Sequence, residues 1–114
     1  MAEATIHAQT SEPKIPIPMD KIAEFCRRWK IAEFALFGSV LRDDFRPDSD
    51  VDVLVTFEPE ARWTLFDWVD IREELCALLG REVDLVSRRG IETSRNYLRR
   101  NEILSTAQVM YAAR

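Results

Sequence analysis

The spacing of apolar side chains along the chain predicts three helices. From about Met19, and again over residues 64–79, apolar residues recur every three or four positions, which is the period of an amphipathic helix. A third helix is expected to start at Thr93 or Ser94 and to reach about residue 105. The segment 107–112 fits either a continuation of this helix or a short edge strand, and its periodicity does not decide between them.

Short apolar runs between these helices predict strands. The runs at 34–37, 50–57 and 82–86 are rich in aliphatic and aromatic residues, and turn-forming residues bound them. The alternation of helices and strands predicts one α/β (α+β) domain over residues 19–114, with a mixed sheet of three to four strands flanked by helices. Residues 1–18 are polar and then spaced by prolines, so they are expected to form a mobile N-terminal leader.

Composition excludes several classes of function. The 114 residues carry a formal net charge of −4, which argues against direct nucleic-acid binding driven by overall charge. Cys26 and Cys76 lie in apolar helical patterns and not in a zinc-binding cluster, which predicts buried, reduced thiols. The sequence has no membrane-spanning run and no signal-peptide pattern, so a cytoplasmic location is expected. The five arginines of a local basic run are interpreted as a solvated helix face: Arg88, Arg89, Arg95, Arg99 and Arg100.

Asp50 and Asp52 are the first candidates for chemistry. They stand two positions apart on a predicted strand, so both carboxylates point to the same face. Like charges in apolar surroundings favour protonation unless a cation lies between them. Paired carboxylates with room for water and phosphate oxygens suit Mg²⁺, so the pair predicts a magnesium site.

Gly38 and Ser39 end the preceding strand and predict an anion-binding turn. A glycine lets the backbone approach a phosphate closely, and N–H groups at a helix start bind anions. Ser39 is expected to cap a short helix that reaches about Asp43.

Asp84 is the third candidate carboxylate. It interrupts the apolar strand 82–86, where a charged side chain needs a structural or functional reason. If this strand lies beside the strand of Asp50 and Asp52, Asp84 completes a cluster of three carboxylates. It could then serve as a ligand of a second metal ion and as a general base toward an attacking hydroxyl.

The spacing of these residues resembles the signature of the DNA polymerase β-like nucleotidyltransferase superfamily. That signature is Gly-Ser, ten residues and Asp-x-Asp, and residues 40–49 supply the ten here. The sequence is most similar to the small prokaryotic minimal nucleotidyltransferases (MNT), whose pattern also has an arginine three positions after the serine, matched by Arg42. The strand 82–86 resembles the third-carboxylate strand of that family, and the resemblance covers roughly residues 20–112.

The resemblance implies a reaction and a partner. Such proteins transfer a nucleoside monophosphate from a triphosphate, here AMP from ATP, to an acceptor hydroxyl, with two magnesium ions as the implied cofactor. Many act as antitoxins of a HEPN ribonuclease toxin encoded beside them, and some adenylylate a toxin tyrosine. The implied site residues are Asp50, Asp52 and Asp84 for metal binding and catalysis, and Gly38, Ser39 and Arg42 for the nucleotide.

Two other functions stay open at this point. A binding-only antitoxin would neutralise its toxin by masking it, and a small-molecule nucleotidyltransferase would modify a drug-like acceptor. Trp63, Phe66 and Trp68 could stack a base, although core or interface roles are commoner for such residues. His7 falls in the leader and carries no site, and the oligomeric state is left open.

Overall fold

A computed structural model describes residues 13–113 of the chain. Residues 1–12, which include most of the expected leader and His7, lie outside the described residues. The elements in chain order are helix α1 (Met19–Arg28), strand β1 (Ile31–Phe37), a 3₁₀ helix (Gly38–Leu41), strand β2 (Val51–Phe57), helix α2 (Leu65–Leu79), strand β3 (Val83–Ser87), helices α3 (Arg88–Glu92) and α4 (Tyr97–Thr106), and strand β4 (Gln108–Ala112).

Four strands form one mixed sheet in the order β3-β2-β1-β4. Strand β1 pairs antiparallel with both β2 and β4, whereas β2 and β3 are parallel and are connected through α2. The predicted mixed sheet flanked by helices is therefore confirmed. Residues 108–112 form the edge strand β4, which settles the alternative between helix and strand that the sequence left open.

Each face of the sheet buries its own apolar cluster. Alternate residues of β2, such as Val53 and Val55, pack with α1 and α2 in the larger cluster. Leu54 points to the other face, where it packs with Ile91 of α3 and Ile103 of α4. The period-2 alternation of a strand places the residues two positions from Leu54 on that second face. Since Asp52 is one of them, the candidate site lies on the α3 and α4 side of the sheet.

Helix α2 has well-defined ends. Thr64 caps its start, because its hydroxyl accepts a hydrogen bond from the Asp67 N–H while the Asp67 carboxylate accepts one from the Thr64 N–H. Gly80 ends the helix in the left-handed region at φ 68°. Both ends agree with the sequence prediction. No helix among the described residues is long and apolar enough to cross a membrane.

The C-terminal helical region differs from its prediction. A short helix, α3, precedes it, and the last helix begins at Tyr97 and not at Thr93 or Ser94. The Thr93 hydroxyl donates back to the Arg89 carbonyl at the end of α3, and the Asn96 side chain caps α4 by accepting from the Arg99 N–H. Asparagine is among the preferred N-cap residues, so this local bond sets the helix start.

Residues 13–18 lie against the domain. The Lys14 N–H donates to the Val40 carbonyl at 2.9 Å, and its ammonium pairs with Asp43 at 3.0 Å. Ile15 and Ile17 pack on the larger apolar cluster. This segment therefore contacts the turn and loop that follow β1.

Candidate active site

Asp52 and Asp84 occupy the same level of neighbouring parallel strands. Asp52 of β2 is the direct register partner of Asp84 of β3. Residues paired in this way point to the same face of a sheet, so the two carboxylates stand side by side. The condition attached to Asp84, that its strand lies beside β2, is thus met.

Asp50 directly precedes β2 and is exposed. The other two carboxylates act electrostatically on Asp52. Burial, the charge of Asp84 and the charge of Asp50, in that order, raise the pKa of Asp52 from 3.8 to about 6, and Arg99 and Arg42 offset part of this rise. A half-buried carboxylate next to two like charges is the arrangement that a bound cation stabilises.

Gly38 makes a close contact with this cluster. Its φ of +76° lies in the left-handed region, where residues with a side chain are strained. A Cβ added to Gly38 would stand 2.1 Å from the Asp52 Oδ2 atom. Position 38 therefore requires glycine for two reasons. The turn needs a positive φ, and the Asp52 carboxylate occupies the space that a Cβ would fill.

Ser39 and Arg42 sit beside this turn. The expectation that Ser39 caps a helix reaching Asp43 is wrong, because the 3₁₀ helix begins at Gly38, ends at Leu41 and is flanked by an extended Phe37. Ser39 lies inside it, and its carbonyl accepts from the Arg42 N–H at 2.8 Å. The positive φ of Gly38 turns the chain one residue earlier than a serine cap would.

Helix α4 adds groups that sequence reasoning missed. The Arg99 Nη2 atom lies 4.0 Å from the Asp84 Oδ2 atom. Arg99, Glu102 and Thr106 also line a cavity of about 180 Å³ together with Gly38 and Asp52. The basic run was the signal that could have identified Arg99. Because all five arginines were interpreted as one solvated helix face, the proximity of Arg99 to Asp84 was not predicted.

The donor chemistry of this face suits a divalent cation. Within residues 13–113, however, no three carboxylate, imidazole or thiolate groups lie close enough together to hold one metal ion as they stand. The charges of Asp84 and Asp50 both act on Asp52, and carboxylate oxygens are the ligands that Mg²⁺ prefers. The residues present therefore fit a magnesium ion by their donor chemistry, and Asp50, Asp52 and Asp84 are the residues that would hold it.

A comparison with protein families identifies the chain. The sequence model of the nucleotidyltransferase domain matches residues 19–108. The chain belongs to the nucleotidyltransferase domain family. This match spans every helix and strand from α1 to the start of β4, and the family resemblance drawn from the Gly-Ser and Asp-x-Asp spacing is confirmed.

Individual relatives place this nucleotidyltransferase domain among the minimal ones. The chain is 39% identical over 70 residues to the protein adenylyltransferase MntA of Thermococcus cleftensis, an alignment that covers 61% of this chain and 69% of that relative. It is 37% identical, with a TM-score of 0.62, to a solved structure assigned to a minimal nucleotidyltransferase, covering 79% and 86% of the two chains. A solved complex from Shewanella oneidensis, of a tri-AMPylated HEPN toxin with an MNT antitoxin, shares the fold at 21% identity and a TM-score of 0.57, covering 83% and 70%.

The basic run and the aromatic residues lie mostly elsewhere in the nucleotidyltransferase domain. Arg88 pairs with Glu92 within α3 and not with the three aspartates of the site. Trp63 donates from Nε1 to the Trp29 carbonyl at 2.8 Å, and its ring packs edge-on against the Trp29 ring. These tryptophans belong to the packed interior near the far end of β2, where a separate cleft of about 710 Å³ opens. Phe66, by contrast, is 84% exposed on α2.

The two cysteines agree with their predicted structural role. Both are free, and Cys26 is fully buried while Cys76 is half-buried. Burial raises the pKa of the Cys26 thiol to about 12, so it stays protonated and unreactive at neutral pH.

The like-charge cluster predicts that Asp52→Asn stabilises the metal-free domain at neutral pH. With a folded-state pKa of about 6 against 3.8, the wild-type protein loses stability as the pH rises from about 4 through 6. The expected gain for the variant is about 1 kcal/mol above pH 7, because solvent screening reduces the full value of the shift, and close to zero at pH 4. Urea unfolding in a chelator at both pH values measures it, with exposed Asp48→Asn as control. A destabilised Asp52→Asn at pH 7 would contradict the prediction.

Proposed function

We propose that this chain is a magnesium-dependent adenylyltransferase that transfers AMP from ATP to a hydroxyl group of a partner protein. The observation that carries the proposal is the in-register pairing of Asp52 with Asp84, with Asp50 two positions before Asp52 and the Gly38 turn packed against the Asp52 carboxylate. This is a compact set of acidic oxygens next to a backbone turn, as nucleotidyl transfer from a metal-bound triphosphate requires.

The turn after β1 would hold the triphosphate. The N–H groups at the start of the 3₁₀ helix and the Ser39 hydroxyl are donors for phosphate oxygens. Arg42, three residues on, adds a positive charge that is close enough to affect the pKa of Asp52. Arg99 of α4 is a second such charge, since it faces both Asp84 and the cavity that Asp52 lines.

Asp50, Asp52 and Asp84 would hold the metal. When bound, Mg²⁺ would neutralise these carboxylates and the charge on the phosphates. The pairing of Arg99 with Asp84 at 4.0 Å is long and partly exposed, so it is weak enough to yield to a stronger cation.

The transfer itself needs one proton acceptor. The acceptor oxygen attacks the α-phosphorus of ATP and forms a new phosphorus–oxygen bond, while the bond to the bridging oxygen breaks and pyrophosphate leaves with its electron pair. Asp84 would take the hydroxyl proton, because it is exposed at the edge strand β3 and can meet a group arriving from outside. The remaining catalytic effect is positioning and charge stabilisation.

The acceptor is proposed to be a tyrosine of a HEPN-type toxin, with this chain acting as its antitoxin. Two relatives support a HEPN toxin as the acceptor protein: the MntA of Thermococcus cleftensis is named a protein adenylyltransferase, and the Shewanella oneidensis complex joins an AMPylated HEPN toxin to an MNT antitoxin.

The test is label transfer to the product of the gene beside this one, which we expect to be a HEPN toxin. With Mg²⁺ present, ATP labelled on the α-phosphate should label the toxin, and ATP labelled on the γ-phosphate should not. Mass spectrometry should place AMP on tyrosine. A complex that forms but takes up no α-label, or that takes up γ-label, would contradict the proposal.

An experiment in cells distinguishes neutralisation by catalysis from neutralisation by masking of the toxin. Asp52→Ala at equal expression should fail to neutralise the toxin while Asp48→Ala still does so. If Asp52→Ala protects cells fully, the chain neutralises its toxin by binding alone. Transfer of label to an aminoglycoside and not to the protein would instead indicate a small-molecule enzyme.

A further inference from the structure

Arg81 makes an unusual set of contacts with the loop that leads into β2. This loop, residues 42–50, joins the Gly-Ser turn to Asp50. The Arg81 guanidinium donates to the Pro47 carbonyl at 2.5 Å and lies 3.5 Å from the carbonyls of Arg46 and Ser49. Its carbon Cζ also lies 4.6 Å from the centre of the Phe45 ring. One side chain thus contacts four of the nine loop residues.

The loop carries few other restraints at this end. The Arg46 N–H donates to the Ser49 hydroxyl, and the Ser49 N–H donates to the Arg46 carbonyl, both at 3.0 Å. These two bonds close the loop on itself but do not tie it to the domain. The Phe45 ring packs on the larger apolar cluster, and Arg81 covers that ring from outside. Arg81 is therefore the link between the loop and the segment that leads into β3.

Asp50 is the carboxylate that depends on this link. Asp52 and Asp84 lie within strands, where the ladder between β2 and β3 fixes them. Asp50 precedes β2 and is exposed, so its position follows from the loop. The ladder reaches only as far as the Val51 N–H, which donates to the Glu82 carbonyl at 2.9 Å.

We propose that Arg81 is a positioning residue that fixes loop 42–50, and through it Asp50, relative to Asp52 and Asp84. An arginine suits this task because its planar fork donates in several directions and stacks on an aromatic ring, whereas a lysine ammonium is a point charge. Gly80 turns the chain directly before Arg81. The metal-binding part of this inference rests on the proposed function.

The test compares Arg81→Met and Arg81→Lys with Arg62→Met. Arg62 is the matched control, because its guanidinium also donates to loop carbonyls, those of Pro59 at 2.7 Å and Ala61 at 3.1 Å, but beyond the other end of β2. Amide hydrogen exchange at Arg46 and Ser49 reports on the loop in the metal-free protein, with the buried Val55 as reference. Mn²⁺ binding with a non-hydrolysable ATP analogue, followed by electron paramagnetic resonance, reports on the site.

Both Arg81 variants should loosen the loop and weaken metal binding. Loss of charge-assisted hydrogen bonds predicts roughly tenfold faster exchange at Arg46 and Ser49 and a roughly tenfold higher Kd for Mn²⁺. Arg62→Met should change neither, and millimolar guanidinium should restore part of the Mn²⁺ affinity of Arg81→Met. If Arg81→Met fails to fold, Arg81→Lys carries the test.

Two results would overturn the inference. Unchanged exchange at Arg46 and Ser49 would show that Arg81 does not hold the loop. Faster exchange with unchanged Mn²⁺ affinity would reduce Arg81 to a structural tether. If the wild-type protein binds no Mn²⁺, the proposed metal site fails by itself, and the exchange measurement still decides whether Arg81 fixes the loop.

Discussion

Asp52→Asn should lower the rate of AMP transfer by about a thousandfold, because it removes one of the charges that hold the metal and the triphosphate. Asparagine keeps the size of the side chain, so the packing around β2 should persist. The same substitution is expected to stabilise the metal-free domain. A variant that is more stable and yet inactive cannot owe its inactivity to unfolding.

The measurement is single-turnover transfer of α-labelled AMP at saturating ATP and Mg²⁺. Asp48→Asn is the control, since Asp48 is exposed on loop 42–50 and the same chemical change is made there. Its transfer rate should stay within about twofold of the wild-type rate. Retention of more than a tenth of the wild-type rate by Asp52→Asn would remove Asp52 from the metal site.

Gly38→Ala is expected to abolish most activity, and Gly80→Ala is expected to leave it intact. Both glycines have positive φ, at +76° and +68°, so alanine strains the backbone by a similar amount, about 1 kcal/mol, at each position. Only at Gly38 does the added Cβ collide with a neighbour, the Asp52 carboxylate, while nothing lies within 4 Å at Gly80. The pair separates backbone strain from displacement of Asp52.

The expected loss for Gly38→Ala is about a hundredfold in transfer rate, since moving a reacting group by about 1 Å has an effect of that size. Unfolding curves for both variants provide the correction for stability. Equal activity losses for Gly38→Ala and Gly80→Ala would mean that the contact between Gly38 and Asp52 has no catalytic role.

The sequence predicted the strands that carry the aspartates better than the ends of the 3₁₀ helix and of α4. Strand alternation alone placed Asp50 and Asp52 on one face, and the apolar run around Asp84 marked a charge that needed a reason. The parallel register of Asp52 with Asp84 could not be derived, because it depends on how α2 returns the chain to the sheet. The family resemblance supplied the expectation that these strands meet.

The roles of Arg99 and Arg81 could not be predicted from the sequence, for two different physical reasons. The start of α4 was misjudged because Thr93 and Ser94 are good N-cap residues, although Asn96 provides the cap. Because α4 begins at Tyr97, Arg95 lies outside it, and Arg99 lies in its first turn, apart from Arg88 and Arg89 of α3. Arg81 donates to backbone carbonyl groups that are distant in sequence. Because every residue has such a carbonyl, the pattern of side chains does not indicate which ones an arginine will bind.

The proposed function requires that Asp50, Asp52 and Asp84 hold a divalent metal beside a triphosphate bound at Gly38 and Ser39. A crystal structure with Mn²⁺ and a non-hydrolysable ATP analogue, using the anomalous signal of manganese, tests it most directly. We expect Mn²⁺ between these carboxylates, with the phosphates against the turn after β1. An ordered nucleotide bound elsewhere, or manganese away from Asp52 and Asp84, would contradict it.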